Sequence, residues 1–305
     1  MIKQIAAAAL ALGVSATGAL AEYPDRPVSI VVPFPPGDLE DVLTRMVAED
    51  FQEAYGVPTA VINVPGGGGG PFPGAVQVAN APADGSVIGS FVVAVPVVGP
   101  NLGIPELSPN PFEPLGIFLT YPFVIAASGD APYSTMQELA EYAQDNDLVL
   151  GHFGAPLVPT RVTLALADRM GFSYGSDAAF DALDCNTLAS GDADVINTTL
   201  QLILPCLDDV TILASVTGER ISILDDVPTV AEIEPSLNLS LWNGLFVHRD
   251  TPQEVRDAII AVARETMASE RAQTLAEETG ALIYWQNAEE ATAQIEADTD
   301  VINGL

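Results

Sequence analysis

Residues 28–55 read VSIVVPFPPGDLEDVLTRMVAEDFQEAY, and this stretch decides the fold. Its first part, Val28 to Pro33, is a continuous run rich in β-branched residues. Such a run is typical of a strand that is buried on both faces of a parallel sheet. After the break at Pro35 to Gly37, apolar residues recur every three or four positions from Leu39 to Tyr55 and Gly56 follows, so we predict one helix there. A strand that feeds a helix through a short turn is the unit of an α/β fold.

The same alternation continues along the chain and then repeats from its middle. Strands are predicted at Thr59–Asn63, Val87–Val95, Phe123–Ala127, Leu148–Gly151, Asp194–Thr198 and Thr211–Val216, with helices at Ala75–Ala81, after Ser134, at Thr160–Met170 and up to Gly191. The chain becomes mostly helical after Val247. Two α/β blocks and a helical tail indicate two lobes, with the tail returning to the first. The predicted division is 22–122 and 246–305 for lobe one and 123–245 for lobe two.

Two helix starts carry recognisable end signals. Ser134 with Gln137 has capping-box spacing, so we predict that Ser134 begins a helix. Thr251 and Pro252, with Glu254 two residues further on, predict an N-cap, a proline in the first helical position and an acidic residue in the first turn.

The first 21 residues have the pattern of a secretory signal peptide. Lys3 precedes an apolar stretch that begins at Ile5, and Ala19-Leu20-Ala21 is an A-x-A cleavage signal. We predict cleavage after Ala21 and export of the mature chain. The alternative, a membrane anchor, is less favoured because the stretch is rich in alanine and ends in small residues.

The charge of the chain excludes several classes of protein. Ten Lys+Arg against 41 Asp+Glu give a net charge of −31, and Lys3 is the single lysine. Nucleic-acid affinity comes largely from basic side chains, so we expect no nucleic-acid partner. A P-loop and a lysine Schiff base both need a lysine that the mature chain would lack.

Cys185 and Cys206 are 21 positions apart in a chain that we expect to be exported. In an oxidising compartment they can form a disulfide, which would stabilise the fold by roughly 3 kcal/mol, or they can remain two buried thiols. His152 and His248 offer no ligand spacing with them, so we predict no metal site.

Three loops at strand ends could bind a ligand. The turn at Pro33–Asp41 opens a helix, whose free N–H groups can hold a carboxylate without a basic side chain, although its acids could also be ordinary helix-start residues. The run Gly66–Gly70 lets backbone amides approach a ligand, or is a flexible linker. The turn at Gly151–Pro156 carries His152, which is either a ligand-binding or a packing residue. The candidate binding residues are Phe34, Gly37, Asp38, Leu39, Asp41, Gly67, Gly68, Gly69, His152, Phe153, Gly154, Ala155 and Asn197.

Short segments spread over the whole mature chain also resemble one known family. They are Tyr23-Pro24 to Arg26-Pro27, Val31 to Gly37 with Asp41, Asn63 with Pro65-Gly66, Ala81 to Gly85, Val227 to Glu232, Trp242 to Phe246, and Thr251-Pro252. In this order they are similar to the Bug family, the periplasmic substrate-binding proteins of tripartite tricarboxylate transporters.

This resemblance implies an α/β fold of the two-lobed type II periplasmic-binding (Venus-flytrap) class. Each lobe would be a mainly parallel sheet flanked by helices, and two crossing strands would form the hinge. It implies a monomeric periplasmic receptor without cofactor or catalytic residues. The receptor would bind a small organic acid and deliver it to membrane permease subunits.

Two other functions stay open at this point. The chain could sense a ligand for a membrane kinase, or it could be a secreted hydrolase or lyase that uses His152. The absence of a Gly-x-Ser-x-Gly elbow from the sequence argues against hydrolysis.

The sequence departs from the family pattern where a ligand would bind. Asp38 and Leu39 replace a second glycine and a hydroxyl residue, and serine and glycine are typical at the positions of His152, Phe153, Pro156 and Leu157. An acidic pocket with few hydroxyl groups would favour a zwitterion, an amine-bearing acid or a larger apolar carboxylate.

Overall fold

A computed structural model describes residues 23–66 and 70–304, whose strands form two separate sheets. The predicted signal peptide, its cleavage site after Ala21, and the candidate residues Gly67, Gly68 and Gly69 lie outside the described residues. None of the helices in the described ranges is both long and apolar enough to cross a membrane.

Seven of the strands differ from the prediction only at their ends and four, at Phe112–Thr120, Ser176–Ala179, Trp242–His248 and Leu282–Asn287, were not predicted, which makes eleven in the described residues. They are β1 (Val28–Val32), β2 (Thr59–Asn63), β3 (Val87–Val92), β4 (Phe112–Thr120), β5 (Phe123–Ser128), β6 (Val149–His152), β7 (Ser176–Ala179), β8 (Val195–Thr199), β9 (Val210–Ser215), β10 (Trp242–His248) and β11 (Leu282–Asn287). The predicted strand Val87–Val95 is too long, because the chain turns into a short helix after Val93.

Helices lie between the strands and at the C-terminal end. They are α1 (Leu39–Tyr55), α2 (Phe72–Ala79), α3 (Ala94–Val97), α4 (Met136–Tyr142), α5 (Val158–Arg169), α6 (Cys185–Ser190), α7 (Leu200–Ile203), α8 (Val230–Ile233), α9 (Gln253–Met267), α10 (Glu270–Thr279) and α11 (Ala288–Asn303). Helix α1 has the predicted bounds and ends at Gly56, which adopts the left-handed conformation typical of a C-cap.

Two helix starts differ from the prediction by one residue. The N-cap of α4 is Thr135, not Ser134, because the Thr135 hydroxyl accepts the hydrogen bond from the Glu138 backbone N–H. The predicted box with Gln137 is therefore wrong. Helix α9 follows Pro252, which occupies the N-cap position, and the side chain of Thr251 does not cap the helix.

The first sheet has six strands in the order β11-β4-β10-β3-β1-β2. Strand β1 runs parallel to β2 and β3, whereas β10 is antiparallel to β3 and β4, and β11 is antiparallel to β4. Helix α1 packs on α9, and α11 packs on β4 and α3.

The second sheet has five strands in the order β7-β6-β8-β5-β9. Strand β6 is parallel to β7 and β8, and β5 is antiparallel to β8 and β9. The two-lobed α/β fold is confirmed, but both sheets are mixed, not mainly parallel. The reason is the crossing between lobes, since the strand that leaves a sheet and the strand that returns to it must run in opposite directions.

The chain crosses between the sheets twice, close to one place. It leaves β4 through Tyr121 and Pro122 and enters β5, and it returns from β9 to β10 at Leu241. The crossings are joined by a hydrogen bond from the Tyr121 N–H to the Leu241 carbonyl, 2.8 Å long. The boundary expected at residues 245 and 246 is wrong because it falls inside β10, all of which pairs with the six-stranded sheet.

Within the five-stranded lobe, Cys185 and Cys206 are joined as a disulfide, with Cα atoms 5.9 Å apart. The bridge ties the start of α6 to the 3-10 turn that follows α7. It therefore closes the loop of 21 positions that contains β8.

Candidate functional site

A cavity of about 60 Å³ lies between the two lobes, next to the crossing segments. This is room for a few water-sized groups. The six-stranded lobe contributes Phe34, Asp38, Leu39, Glu40, Tyr121 and Trp242 to its wall, and the five-stranded lobe contributes Phe123, Phe153, Leu157, Val158, Thr199 and Leu202. Most of these side chains are apolar, as is usual for a small-molecule site in which a few polar groups set the orientation.

The turn between β1 and α1 brings the first group of candidate residues to the cavity. Phe34, Asp38 and Leu39 line it. Gly37 has φ 107°, a conformation that glycine adopts freely, and its N–H donates to Asp41 Oδ2 over 2.9 Å. This bond closes the turn and directs the following residue, Asp38, toward the cleft.

Asp41 supports this turn and does not line the cavity. Its carboxylate accepts hydrogen bonds from Arg45 and Asn63 as well as from Gly37. Burial alone would raise the pKa of Asp41, but these hydrogen bonds and the Arg45 charge outweigh it and lower the pKa. The carboxylate is thus fully engaged within the protein.

Asp38 occupies the N-cap position of α1, but its side chain makes no capping hydrogen bond. It faces the cavity instead, together with Glu40, which is 3% exposed. Burial and the nearby Asp41 charge raise the pKa of Asp38 to about 6. Burial and the Asp38 charge raise the pKa of Glu40 to about 8.

Tyr121 completes this polar corner of the cavity. It lies on the first crossing segment and is 5% exposed, and its hydroxyl, beside the Glu40 carboxyl, forms no hydrogen bond of regular geometry with the described residues. Burial and the neighbouring Glu40 carboxyl raise the pKa of Tyr121 well above its usual value. Asp38, Glu40 and Tyr121 are the acidic and hydroxyl groups on this side, and no Lys, Arg or His lines the cavity in the part of the chain that the structure describes.

The second lobe presents fewer of the predicted residues. Phe153 lines the cavity and packs edge-on against Phe123, with ring centroids 6.2 Å apart. Gly154 lies in the turn before α5, where its carbonyl accepts a hydrogen bond from Thr160, and Ala155 is exposed outside the cavity.

His152 and Asn197 are buried behind this wall. The Nε2 atom of His152 lies 2.7 Å from Asp177 Oδ1, and the Asn197 amide donates to Thr163 Oγ1 over 2.7 Å. Neither side chain lines the cavity.

A second, smaller space of about 40 Å³ continues the cleft toward the glycine run. Gly66 and Gly70 border it from the first lobe, and Phe153, Phe180 and Asp181 border it from the second. The ends of the glycine run therefore lie at the mouth of the cleft.

The sequence contained a signal for Glu40 that the prediction missed. Glu40 lies on the same helical face as Leu43, Val47 and Phe51, at spacings of three, seven and eleven residues, and all of these are buried. An acidic residue on the apolar face of a helix is a candidate for a ligand-facing group. No comparable signal marks Tyr121, because its place depends on how the two lobes meet.

Two α/β lobes, joined by adjacent crossings beside a cavity that both lobes line, define a two-lobed solute-binding protein of the periplasmic type. Residues 43–302 match the tripartite tricarboxylate transporter family receptor, and the chain belongs to this family. The resemblance found in the sequence is therefore confirmed, and so is the role of solute receptor that the family performs.

Three relatives illustrate the similarity. A UPF0065 protein in the tcbD-tcbE intergenic region of a Pseudomonas species is 28% identical over 284 residues, covering 87% of this chain and 81% of that protein. The periplasmic binding protein BugD has a similar structure, with 26% identity and a TM-score of 0.78, covering 91% of this chain and 95% of that one. MatC from Rhodopseudomonas palustris, solved with bound malate, has 24% identity and a TM-score of 0.76, covering 92% and 100% of the two chains.

Proposed function

We propose that this chain captures a small carboxylate-containing metabolite in the periplasm and delivers it to the permease of a tripartite tricarboxylate transporter. The proposal extends the receptor role of the family to this cleft, and the malate bound to MatC supports a carboxylate ligand. We also propose that one chain acts alone, since its own two lobes enclose the cavity.

The observation that carries the proposal is the free N-terminus of α5 in the cavity wall. Leu157 is the N-cap residue and makes no side-chain capping bond, and the first turn of α5 contains no acidic residue. Leu157 and Val158 both line the cavity. Uncapped N–H groups and the partial positive charge of a helix start stabilise a carboxylate without a basic side chain.

Contacts between the lobes support a receptor that closes around its ligand. The Arg161 guanidinium on α5 donates to the Ile302 carbonyl on α11 over 2.9 Å, and the Gln201 amide donates to the Gly37 carbonyl over 3.4 Å. A ligand that contacts both lobes would favour this closed arrangement.

We propose no enzymatic role. The imidazole of His152, on which a hydrolase would depend, is paired with Asp177 away from the cavity wall. The cavity-lining Asp38 and Glu40 have no nucleophilic serine or cysteine beside them in the described part of the cavity.

A substitution at the start of α5 tests the carboxylate site. Leu157→Asp places an acceptor at the N-cap, where it can accept from the Thr160 N–H, since Pro159 has none, and repels an incoming carboxylate. The neutral variant Leu157→Asn caps the same N–H groups without the charge and is the matched control.

The measurement is calorimetry with malate, adipate, isovalerate and valine, after a thermal-shift screen of the same acids. At least one acid should bind, and Leu157→Asp should weaken it at least about tenfold more than Leu157→Asn does. Binding of none of these acids, or equal binding by both variants, would contradict the proposed function.

A further inference from the structure

The two ends of the cavity differ in charge. The α1 end carries Asp38 and Glu40, and the α5 end carries no acidic side chain and a free helix N-terminus. A ligand that bridges the cleft would meet carboxyl groups at one end and backbone N–H groups at the other.

Building on the proposed function, we infer that the ligand is a small zwitterion, whose protonated amine binds Asp38, Glu40 and Tyr121 and whose carboxylate binds the start of α5. Its apolar part would lie between the aromatic side chains of the cavity. The ligand class is therefore a neutral amino acid or a close N-substituted relative, not a di- or tricarboxylate.

The first argument is the missing counter-charge. Arg45 follows this turn on α1, and its guanidinium is bound by Asp41 and Asn63. With no basic side chain in the described cavity wall, the carboxyl groups of Asp38 and Glu40 face no cation there when they ionise. Buried carboxylates are normally paired, so a cationic ligand group would supply what the fold leaves out.

Tyr121 provides the second argument. Tyr121 is 5% exposed and lines the cavity, and its hydroxyl, beside the Glu40 carboxyl, forms no hydrogen bond of regular geometry with the described residues. Buried hydroxyl groups without partners are uncommon and point to a missing ligand or water. A primary ammonium has three N–H donors, and Asp38, Glu40 and Tyr121 offer one acceptor group each.

Aromatic side chains provide the third argument. Phe34, Phe123, Phe153 and Trp242 line the same cavity. Their rings can pack against an apolar ligand body, and ring faces attract a cationic nitrogen. A strongly hydrated dicarboxylate would gain little from such walls and would lie beside two acidic groups.

Binding of the amine should release protons. Burial raises the pKa of Asp38 to about 6 and that of Glu40 to about 8, and the groups that face them are Asp41, Tyr121 and each other. Near neutral pH the pair therefore retains part of a proton, and a bound cation would expel it. A carboxylate ligand without an amine would instead favour the protonated acids.

The experiment compares fragments of one ligand. Calorimetry near neutral pH uses valine, isovalerate, which lacks the amine, and isobutylamine, which lacks the carboxylate, together with alanine, propionate and ethylamine as a smaller set. In at least one set the amino acid should bind at least about tenfold tighter than either fragment. Its binding heat should change with the ionisation heat of the buffer, which reports proton release.

Isosteric variants assign the effect to the proposed groups. Asp38→Asn and Glu40→Gln should each remove most of the advantage of the amino acid over the amine-free acid. Glu53→Gln makes the same charge change on an exposed position of α1 outside the cavity, and should keep that advantage. Thermal melting verifies that every variant is folded.

The possible results separate this inference from the proposed function. Tight binding of isovalerate, propionate or a dicarboxylate, with the amino acids no better, would overturn the zwitterion and keep the carboxylate receptor. Binding of the amine alone as tightly as the amino acid would overturn the carboxylate site as well. If both Asp38→Asn and Glu40→Gln still bind the amino acid more tightly than the amine-free acid, these two residues do not bind the amine.

Discussion

Glu40 shows how the position of a single residue can determine the chemistry of a cleft. It lies in the first turn of α1, where an acid ordinarily faces solvent and complements the helix dipole. Here it is 3% exposed, because the helix turns this position toward the buried face that also contains Leu43 and Val47. An ionised carboxylate there is unfavourable until something neutralises it.

Glu40 should also make the stability of the protein depend on pH. Its pKa of about 8 in the folded state is above the ordinary value, so the folded state holds a proton that the unfolded state has lost. The free energy of unfolding should therefore fall as the pH rises from about 4.5 to about 8, and level off above this range.

Glu40→Gln should remove most of this decline and raise stability by about 2–4 kcal/mol near pH 8. Urea denaturation from about pH 5 to about pH 8.5 measures the effect, with Glu53→Gln as the exposed control. If the free energy of unfolding depends on pH equally in the wild type and in Glu40→Gln, the pKa of Glu40 is not raised in the folded state.

The sequence predicted only part of this polar corner. Asp38 was predicted because it departs from a family pattern within a recognisable turn, and Phe34 and Phe153 because they follow strands. Tyr121 and Thr199 were missed, since no local pattern shows that a crossing segment and the end of β8 meet across the cleft. His152 was selected because an imidazole can bind a ligand, but its ring lies behind the cavity wall. There it pairs with Asp177, a contact that the sequence spacing does not reveal.

At the level of helices and strands, the positions of seven strands were predictable, but β4, β7, β10 and β11 and the strand directions were not. The apolar runs located β1, β2 and β8 almost to the residue, since a buried strand and an amphipathic helix have different periods. The direction of β10 depends on which sheet it joins after the second crossing. That information lies in long-range pairing, so the predicted mainly parallel sheets were wrong.

The disulfide belongs to this level because it fixes α6 to the turn after α7. It closes a loop of 21 positions, which restricts the unfolded chain. The double variant Cys185→Ser with Cys206→Ser should lose roughly 3 kcal/mol of stability, measured by urea denaturation.

A reductant should destabilise the wild type by a similar amount and leave the double variant unchanged. Equal stability of the oxidised wild type and the double variant would mean that the thiols are not bridged in solution.

At the level of the whole molecule, the lobes are held together by few polar contacts, so their closure should be adjustable. Arg161 reaches from α5 to the C-terminal helix α11 of the other lobe. A hydrogen bond from a charged donor contributes about 1.5–3 kcal/mol of stability, which is lost when one partner is removed.

Arg161→Met should increase the radius of gyration of the unliganded protein, which small-angle scattering measures. It should also lower, by about tenfold, the affinity for the ligand that calorimetry identifies. Arg169→Met removes the same charge from the same helix, at a position with no hydrogen bond to the other lobe among the residues described. If both variants behave alike, the Arg161 contact does not contribute to closure.

The order of strands in the first sheet also has a consequence for biogenesis. Strand β10 lies between β3 and β4, although it is made more than a hundred residues after them. Until β10 is made, the edges of β3 and β4 that it joins have no partner strand. All five strands of the other sheet lie within residues 123–215, so they can pair earlier. Strands that are close in the sequence pair sooner than strands that are far apart, and an unpaired strand edge promotes aggregation. We therefore expect the first lobe to be the more prone to aggregation until β10 has joined its sheet.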